Sequence, residues 1–211
     1  MFFDNTAWEN NHNTIIVTGR GRVTAVPDLA KIRLGVITTG ENLSDIQNEN
    51  AETSNLILNG LRNMGVDDIR TYQYIIDRNF EFIDNTRVDR GYTIRNVYEI
   101  QTGMPDSVGA IIDTAVSLGA NLVESITFEV SAAETFYLEA LKIALMNGAE
   151  KAAAMAEVFN ARLSPVPIRI IESGTPVPLS RTFLREDIVT TPVEPGTTQI
   201  EAIVTMEFGY N

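Results

Sequence analysis

Along residues 14–26 the chain alternates, with Ile15, Val17, Gly19, Gly21, Val23 and Ala25 on one side and Thr14, Thr18, Arg20, Arg22 and Thr24 mostly on the other. That two-residue period predicts a half-buried strand. Pro27-Asp28 interrupts it, and Ala30, Ile32, Leu34 and Val36 then resume an apolar side opposite Lys31 and Arg33. Two strands joined at a proline bend are predicted. From Ser44 the period changes to that of a helix. Ser44-Asp45-Ile46-Gln47 matches a capping box, Ile46, Thr53, Ile57, Leu61 and Met64 recur at helical spacing, and Gly65 supplies the stop. A Tyr- and Ile-rich strand over residues 69–82, a polar turn at Asp84-Asn85 and a partner strand over 91–102 read as a long hairpin.

The pattern then repeats in outline. A helix over 105–118, a stop at Gly119 and a strand over 122–130 follow one another, so that Gly119-Ala120-Asn121 stands where Gly65-Val66-Asp67 stood. Strand-helix-strand thus occurs twice, which predicts an internal duplication, over about 14–82 and 91–211, within a single domain spanning 14–211. The longest helix is expected over 134–159, with Leu141, Leu145, Ala149, Ala152, Ala156 and Phe159 as its apolar stripe. Gly148, Ala152 and Ala156 are small residues four apart, which permits close approach to a neighbouring element. Strands are predicted at 167–172 and 199–208, the last alternating as Ile200, Ala202, Val204, Met206 and Phe208. The fold class expected is α+β, with an antiparallel sheet, a long hairpin and one long Ala-rich helix.

Between the last two strands, residues 173–198 carry four prolines together with Phe183, Leu184, Ile188 and Val189. A loop this long inside a compact domain is commonly functional or ordered by a partner. These four apolar residues are the candidate partner contact; a mobile flap and a small-molecule lid are the other readings.

Gly19-Arg20-Gly21 raises the question of a phosphate loop. Such a loop sets its glycines between a strand and a helix N-terminus, where free amides and the helix dipole meet the anion. No helix is predicted after Gly21, and the third glycine and the Walker Lys are missing. The glycines are read instead as bulge or close-approach positions. Arg20 and Arg22, two apart on one strand face, are expected to pair with cross-strand acids.

Composition narrows the function classes. With 16 Lys and Arg against 28 Asp and Glu, the formal charge is -12, which opposes the counterion release that rewards nucleic-acid binding. No nucleic-acid partner is expected, and no transmembrane segment is predicted. The chain has no cysteine and one histidine, His12, in a polar arm over residues 1–13. Disulfides, thiolate metal sites and cysteine nucleophiles are excluded, and a Ser-His-Asp triad could recruit only His12. No metal, cofactor or catalytic residue is assigned. Asp67-Asp68 and Asp84-Asn85 are read as turn residues. Tyr72, Tyr74, Tyr92 and Tyr98 on the hairpin form the candidate ligand face. The start of the chain lacks a basic segment followed by an apolar run; a full-length product of this sequence is expected in the cytoplasm, a trimmed mature form outside it or in the periplasm.

IIVTGRGRVTAVPDLAKIRLGV, the Gly65-Val66 helix end, the Gly91-Tyr92 strand start, GANLVESITFEV, KAAAMAEVFN and VEPGTTQIEAIVTMEF, in this order and spacing, resemble the bacterial SIMPL-domain family over roughly residues 14–209. The resemblance implies an α+β fold with a duplicated strand-helix unit, an exported or periplasmic protein, self-association, and a loose link to envelope and oxidative-stress protection. It supplies no catalytic residues. The chain departs from the family's usual pattern in showing no export signal.

Three functions are compatible with these features. The first is a non-catalytic homo-oligomer, a scaffold or stress-protective factor, assembling through strand edges and the 173–198 loop. The second is a small-ligand or peptide-binding module on the tyrosine-rich hairpin. The third is an acid-base enzyme with two carboxylates in a cleft, one with a raised pKa.

Overall fold

The computed structural model describes residues 13–84, 86–173, 181–183 and 195–211, with Thr86 and residues 181–183 described by their backbone only. In chain order the elements are β1 (Thr14–Ala25), β2 (Leu29–Gly40), α1 (Leu43–Asn63), β3 (Ile69–Ile83), β4 (Thr86–Thr102), a 3-10 turn (Pro105–Ser107), α2 (Val108–Ser117), β5 (Leu122–Glu129), α3 (Ala133–Val158), β6 (Arg169–Ser173), β7 (Arg181–Phe183) and β8 (Thr198–Gly209). The mixture of helices with antiparallel sheets is the α+β class expected. The elements divide between two compact units.

One unit holds β2 to β5, α1, α2 and β7, in a sheet of order β3-β4-β2-β5-β7. Every pairing is antiparallel. Strand-helix-strand occurs twice, as β2-α1-β3 and β4-α2-β5, and the order places β4 between β2 and β3, a split βαβ arrangement. Both repeats of the sequence pattern therefore fall inside this unit. The two helix ends are built alike. Val66 N–H returns to Leu61 O at 3.1 Å and Ala120 N–H to Ala115 O at 2.9 Å, closing turns in which Gly65 and Gly119 take φ of 81° and 107°. Glycine is favoured there because a Cβ is strained in that region. Asn121 then grips β2, donating to Ile37 O at 2.8 Å and accepting from Ile37 N–H at 2.7 Å.

The core lies between the helices and one face of this sheet. Ala30, Ile32, Leu34 and Val36 of β2 meet Ile57 and Leu61 of α1, Val108, Ile111 and Ala115 of α2, and Ile126 and Phe128 of β5. Burying each large side chain contributes about 1.5–3 kcal/mol. The α1 pattern needs correction. Its buried face runs Ile46, Asn50, Ser54, Ile57 and Leu61, and Met64 is exposed. Asn50 and Ser54 are buried because they join a polar cluster with Asn96 and Tyr98 of β4. Asn96 Nδ2 lies 3.2 Å from Asn50 Oδ1, 3.1 Å from Ser54 Oγ and 2.8 Å from Tyr98 Oη. The helix also begins earlier than the capping box suggests, since Asn42 Oδ1 accepts from Ser44 N–H at 2.9 Å and serves as N-cap.

The other unit holds β1, α3, β6 and β8, with sheet order β1-β8-β6. Ile200, Ala202, Val204, Met206 and Phe208 of β8 are buried, as the alternation predicts. The buried face of α3 is Tyr137, Ala140, Ala144, Gly148, Ala152 and Ala156; it contains the small-residue row Gly148, Ala152 and Ala156 expected from the sequence, whereas Leu141, Leu145 and Ala149 of the wider stripe are not buried and Phe159 is 77% exposed. Small residues line this face because β1 comes close. A Cβ on Gly19 would stand 2.0 Å from Ala144 O, and one on Gly21 would stand 1.9 Å from Ala140 O. The two glycines are therefore close-approach positions. Arg22 pairs with Glu201 across to β8 at 3.1 Å, as expected of a solvent-face arginine.

Candidate functional site: a charged cavity between two bulges

The face of the five-stranded sheet turned away from α1 and α2 is polar. Alternation along β2 puts Lys31 and Arg33 on it, opposite the buried Ala30, Ile32 and Leu34. Register brings Glu99 of β4 and Ser125 of β5 beside Arg33, and Thr127 beside Lys31. Two β-bulges flank this point. Tyr72 is the extra residue where β3 slips against β4, between Thr71 and Gln73. Glu124 is the extra residue of β5, between Val123 opposite Leu34 and Ser125 opposite Arg33. A bulge rotates a side chain off the regular pleat, and both of these line one cavity of about 470 Å3 with Lys31, Arg33, Glu99, Ser125, Thr127 and Glu129.

Ion pairs organise its walls. Glu99 accepts from Arg33 at 2.8 Å and from Arg70 at 2.6 Å. Lys31 holds Glu129 at 2.7 Å, and Arg95 holds Glu124 at 2.7 Å. The Arg33 guanidinium lies 3.7 Å over the Tyr72 ring, a cation–π contact that fixes both. Burial alone would raise the Glu99 carboxyl, but hydrogen bonds and charge from Arg33 and Arg70 outweigh it and hold the group below its ordinary value of 4.5. Glu99 is thus an ion-pair centre rather than a proton donor.

That shift has a pH consequence. A carboxyl with a lowered folded pKa stabilises the fold fully above its unfolded pKa and loses that contribution as pH falls through the folded value. Glu99→Gln is expected to lose about 2 kcal/mol at neutral pH, the size of a charged hydrogen bond. The deficit should shrink steadily below pH 4.5, in urea melts run at several pH values. A deficit independent of pH would contradict the ion-pair role.

The tyrosines named from the sequence are distributed differently from one another. Tyr72 lines the cavity. Tyr74 sits across from Asn96 and is half exposed. Tyr92 Oη accepts from Arg78 at 2.8 Å on the hairpin, and Tyr98 is buried in the polar cluster. Phe183 ends β7; its side chain, together with Leu184, Ile188, Val189 and His12, lies outside the described residues. Asp84 occupies the hairpin turn with φ of 48°. Among the described residues, no three His, Asp or Glu side chains come together as a metal site, and no helix is long and apolar enough to cross a membrane. In the other unit the Tyr137 hydroxyl donates to Glu172, and that bond, with burial, pushes its pKa up to about 12.

Arg33, Glu99 and Glu124 were not singled out by the sequence. Lys31 and Arg33 were visible as the polar side of an alternating strand, a pattern that usually means a solvated face. The two bulges have no signature in the residue order.

This arrangement can be set beside known proteins. The chain is 26% identical over 200 residues to the 26 kDa periplasmic immunogenic protein of Brucella melitensis, covering 88% of this chain and 80% of that protein. It is 22% identical over 154 residues to the uncharacterized protein YggE of Escherichia coli K12, covering 72% of this chain and 63% of that protein. YggE of Edwardsiella ictaluri is 21% identical over 155 residues, covering 72% and 65%. The SIMPL family, described as a protein of unknown function (DUF541), matches residues 15–208. The match runs from the first strand to the last and takes in both strand-helix-strand repeats and the long helix, so this chain belongs to the SIMPL family.

Proposed function

We propose that this protein is a non-catalytic, self-associating factor with a scaffold or stress-protective role, and that two copies pair through β3. The observation that carries this reading is the character of that strand. It is the outermost strand of its sheet, and most of its fifteen residues are exposed. Tyr74 at 50%, Ile75 at 36% and Ile76 at 38% exposure form an apolar run there. Bulges at either end, at 71/73 and 78/80, leave residues 73–78 as the regular stretch. A regular, apolar outer edge is a template for another strand unless it is covered, and a second copy could pair antiparallel about a two-fold axis.

Sedimentation at micromolar concentration tests the reading. The protein is expected to sediment as an oligomer, and Ile75→Lys combined with Ile76→Lys to sediment as a monomer with an unchanged circular dichroism spectrum. A strictly monomeric parent chain overturns it, and so does a lysine variant that assembles as the parent does. For the compartment, the name of the Brucella relative supports an exported, periplasmic location; fractionation of cells expressing the gene product checks it.

A further inference from the structure

Strand β1 is an outer strand of its sheet, hydrogen-bonded to β8 on one side among the described residues. Its twelve residues form a long edge of the kind that another strand can extend. Successive residues of a strand turn their backbone groups to opposite sides, and Tyr210 N–H donates to Asn13 O at 3.0 Å on the β8 side. Burial of Val17, Gly19, Gly21 and Ala25 keeps the alternation regular, so the even-numbered residues from 14 to 24 send their N–H and C=O groups outward. Two of these outward groups, at the middle of the edge, are held by side chains of α3. Arg20 N–H donates to Asn147 Oδ1 at 3.2 Å, and Lys151 Nζ donates to Thr18 O at 2.9 Å. Asn147 and Lys151 stand about 6 Å apart along the helix axis, and Thr18 and Arg20 about 6.8 Å apart along the strand, so the two spacings match. The approach at Gly19, where a Cβ would stand 2.0 Å from Ala144 O, brings the helix near enough for both contacts. Thr18 and Arg20 are exposed. Water would satisfy the same groups there, so the two bonds add little to stability; what they change is access to the edge.

We propose that Asn147 and Lys151 guard the outer edge of β1 against a strand from a second copy of this chain. By occupying Thr18 O and Arg20 N–H they interrupt the run of free groups that an added strand needs. What remains, at residues 14–16 and 22–24, is shorter on each side than the usual strand of about five to six residues. A second copy presenting the same edge also brings its own Lys151, and like charges placed opposite each other oppose pairing. The guard does not depend on pairing through β3; where that pairing occurs, the guard confines strand addition to it.

The test uses the full chain carrying Ile75→Lys and Ile76→Lys, so that the guard and the β3 contact are read separately. Asn147→Ala with Lys151→Ala is added to that background, and sedimentation is compared with the background alone. The guard-less chain is expected to associate further, with half-association at about 10 µM or below. Arg20→Pro, which deletes an outward N–H and no bond to β8, should reverse the gain. Amide exchange on the parent chain gives a second reading that needs no double variant. After correction for intrinsic rates, the Arg20 N–H should exchange at least about tenfold more slowly than the outward amides of Arg22 and Thr24, and Asn147→Ala should abolish the difference. A folded guard-less chain that sediments as its background up to about 100 µM overturns the proposal. So does a gain in association that Arg20→Pro leaves in place, or an Arg20 amide that exchanges as fast as its outward neighbours.

Discussion

Gly21→Ala is expected to destabilise the protein by about 3 kcal/mol, a fall in midpoint temperature of roughly 6–12 °C for a chain of this size. The added methyl would stand 1.9 Å from Ala140 O, 2.6 Å from Ala144 N and 2.9 Å from Ile143 Cβ. Two of these are main-chain atoms of α3, which cannot rotate aside as a flexible side chain does. Relief requires the helix to lift from β1, which would open the small-residue contact formed by Ala140, Ala144 and Gly148. Gly19→Ala meets Ala144 O at 2.0 Å and Gly148 N at 2.9 Å, and should act in the same direction. Gly109→Ala is the control. It lies in α2 with nothing within 4 Å of the added atom, and should be neutral or stabilising by up to about 1 kcal/mol. Scanning calorimetry on the three variants decides the matter. Equal stability of Gly21→Ala and the parent chain would mean that β1 does not rest on α3.

Phe128→Ala is expected to cost about 4 kcal/mol, read in urea as a lower midpoint with an unchanged slope. Phe128 is 1% exposed and belongs to the cluster formed by β2, β5, α1 and α2. Truncation removes the transfer free energy of the ring and leaves a void that neighbours anchored in two helices and a sheet fill only in part. Phe82→Ala makes the same chemical change on the hairpin, where the ring is 72% exposed, and should stay within about 0.5 kcal/mol of the parent. A small effect at Phe128 would place the core elsewhere.

The cavity shows how far residue order reaches into a site. Arg33 and Lys31 could be seen on the polar side of β2, but their partners come from strands far away in the chain. Glu99 lies sixty-six residues beyond Arg33, and it joins because β4 is inserted between β2 and β3. Glu124 and Tyr72 enter by register slips of one residue, at 33/34 and 71/73. A slip depends on how two particular strands settle against each other and leaves no periodic mark in either. Asn50 and Ser54 were hidden for a related reason. Polar residues on the inner side of a helix look like errors of pattern until Asn96 and Tyr98 are found across from them.

From residue order alone came the period of nearly every strand, the two glycine-ended helices, the repeated strand-helix-strand pattern and the absence of thiol chemistry, because alternation, helix spacing and left-handed turns are local properties. Tertiary structure decided which strands became neighbours and which face of α3 turned inward. The inner face was settled by steric fit, since only a helix surface of alanine and glycine can lie on a strand whose own side chains are absent at Gly19 and Gly21. The union of Arg33, Glu99, Tyr72 and Glu124 around one cavity was also a tertiary outcome. Charges from separate strands meet only once pairing and bulges have set the register, and no local rule carries that information.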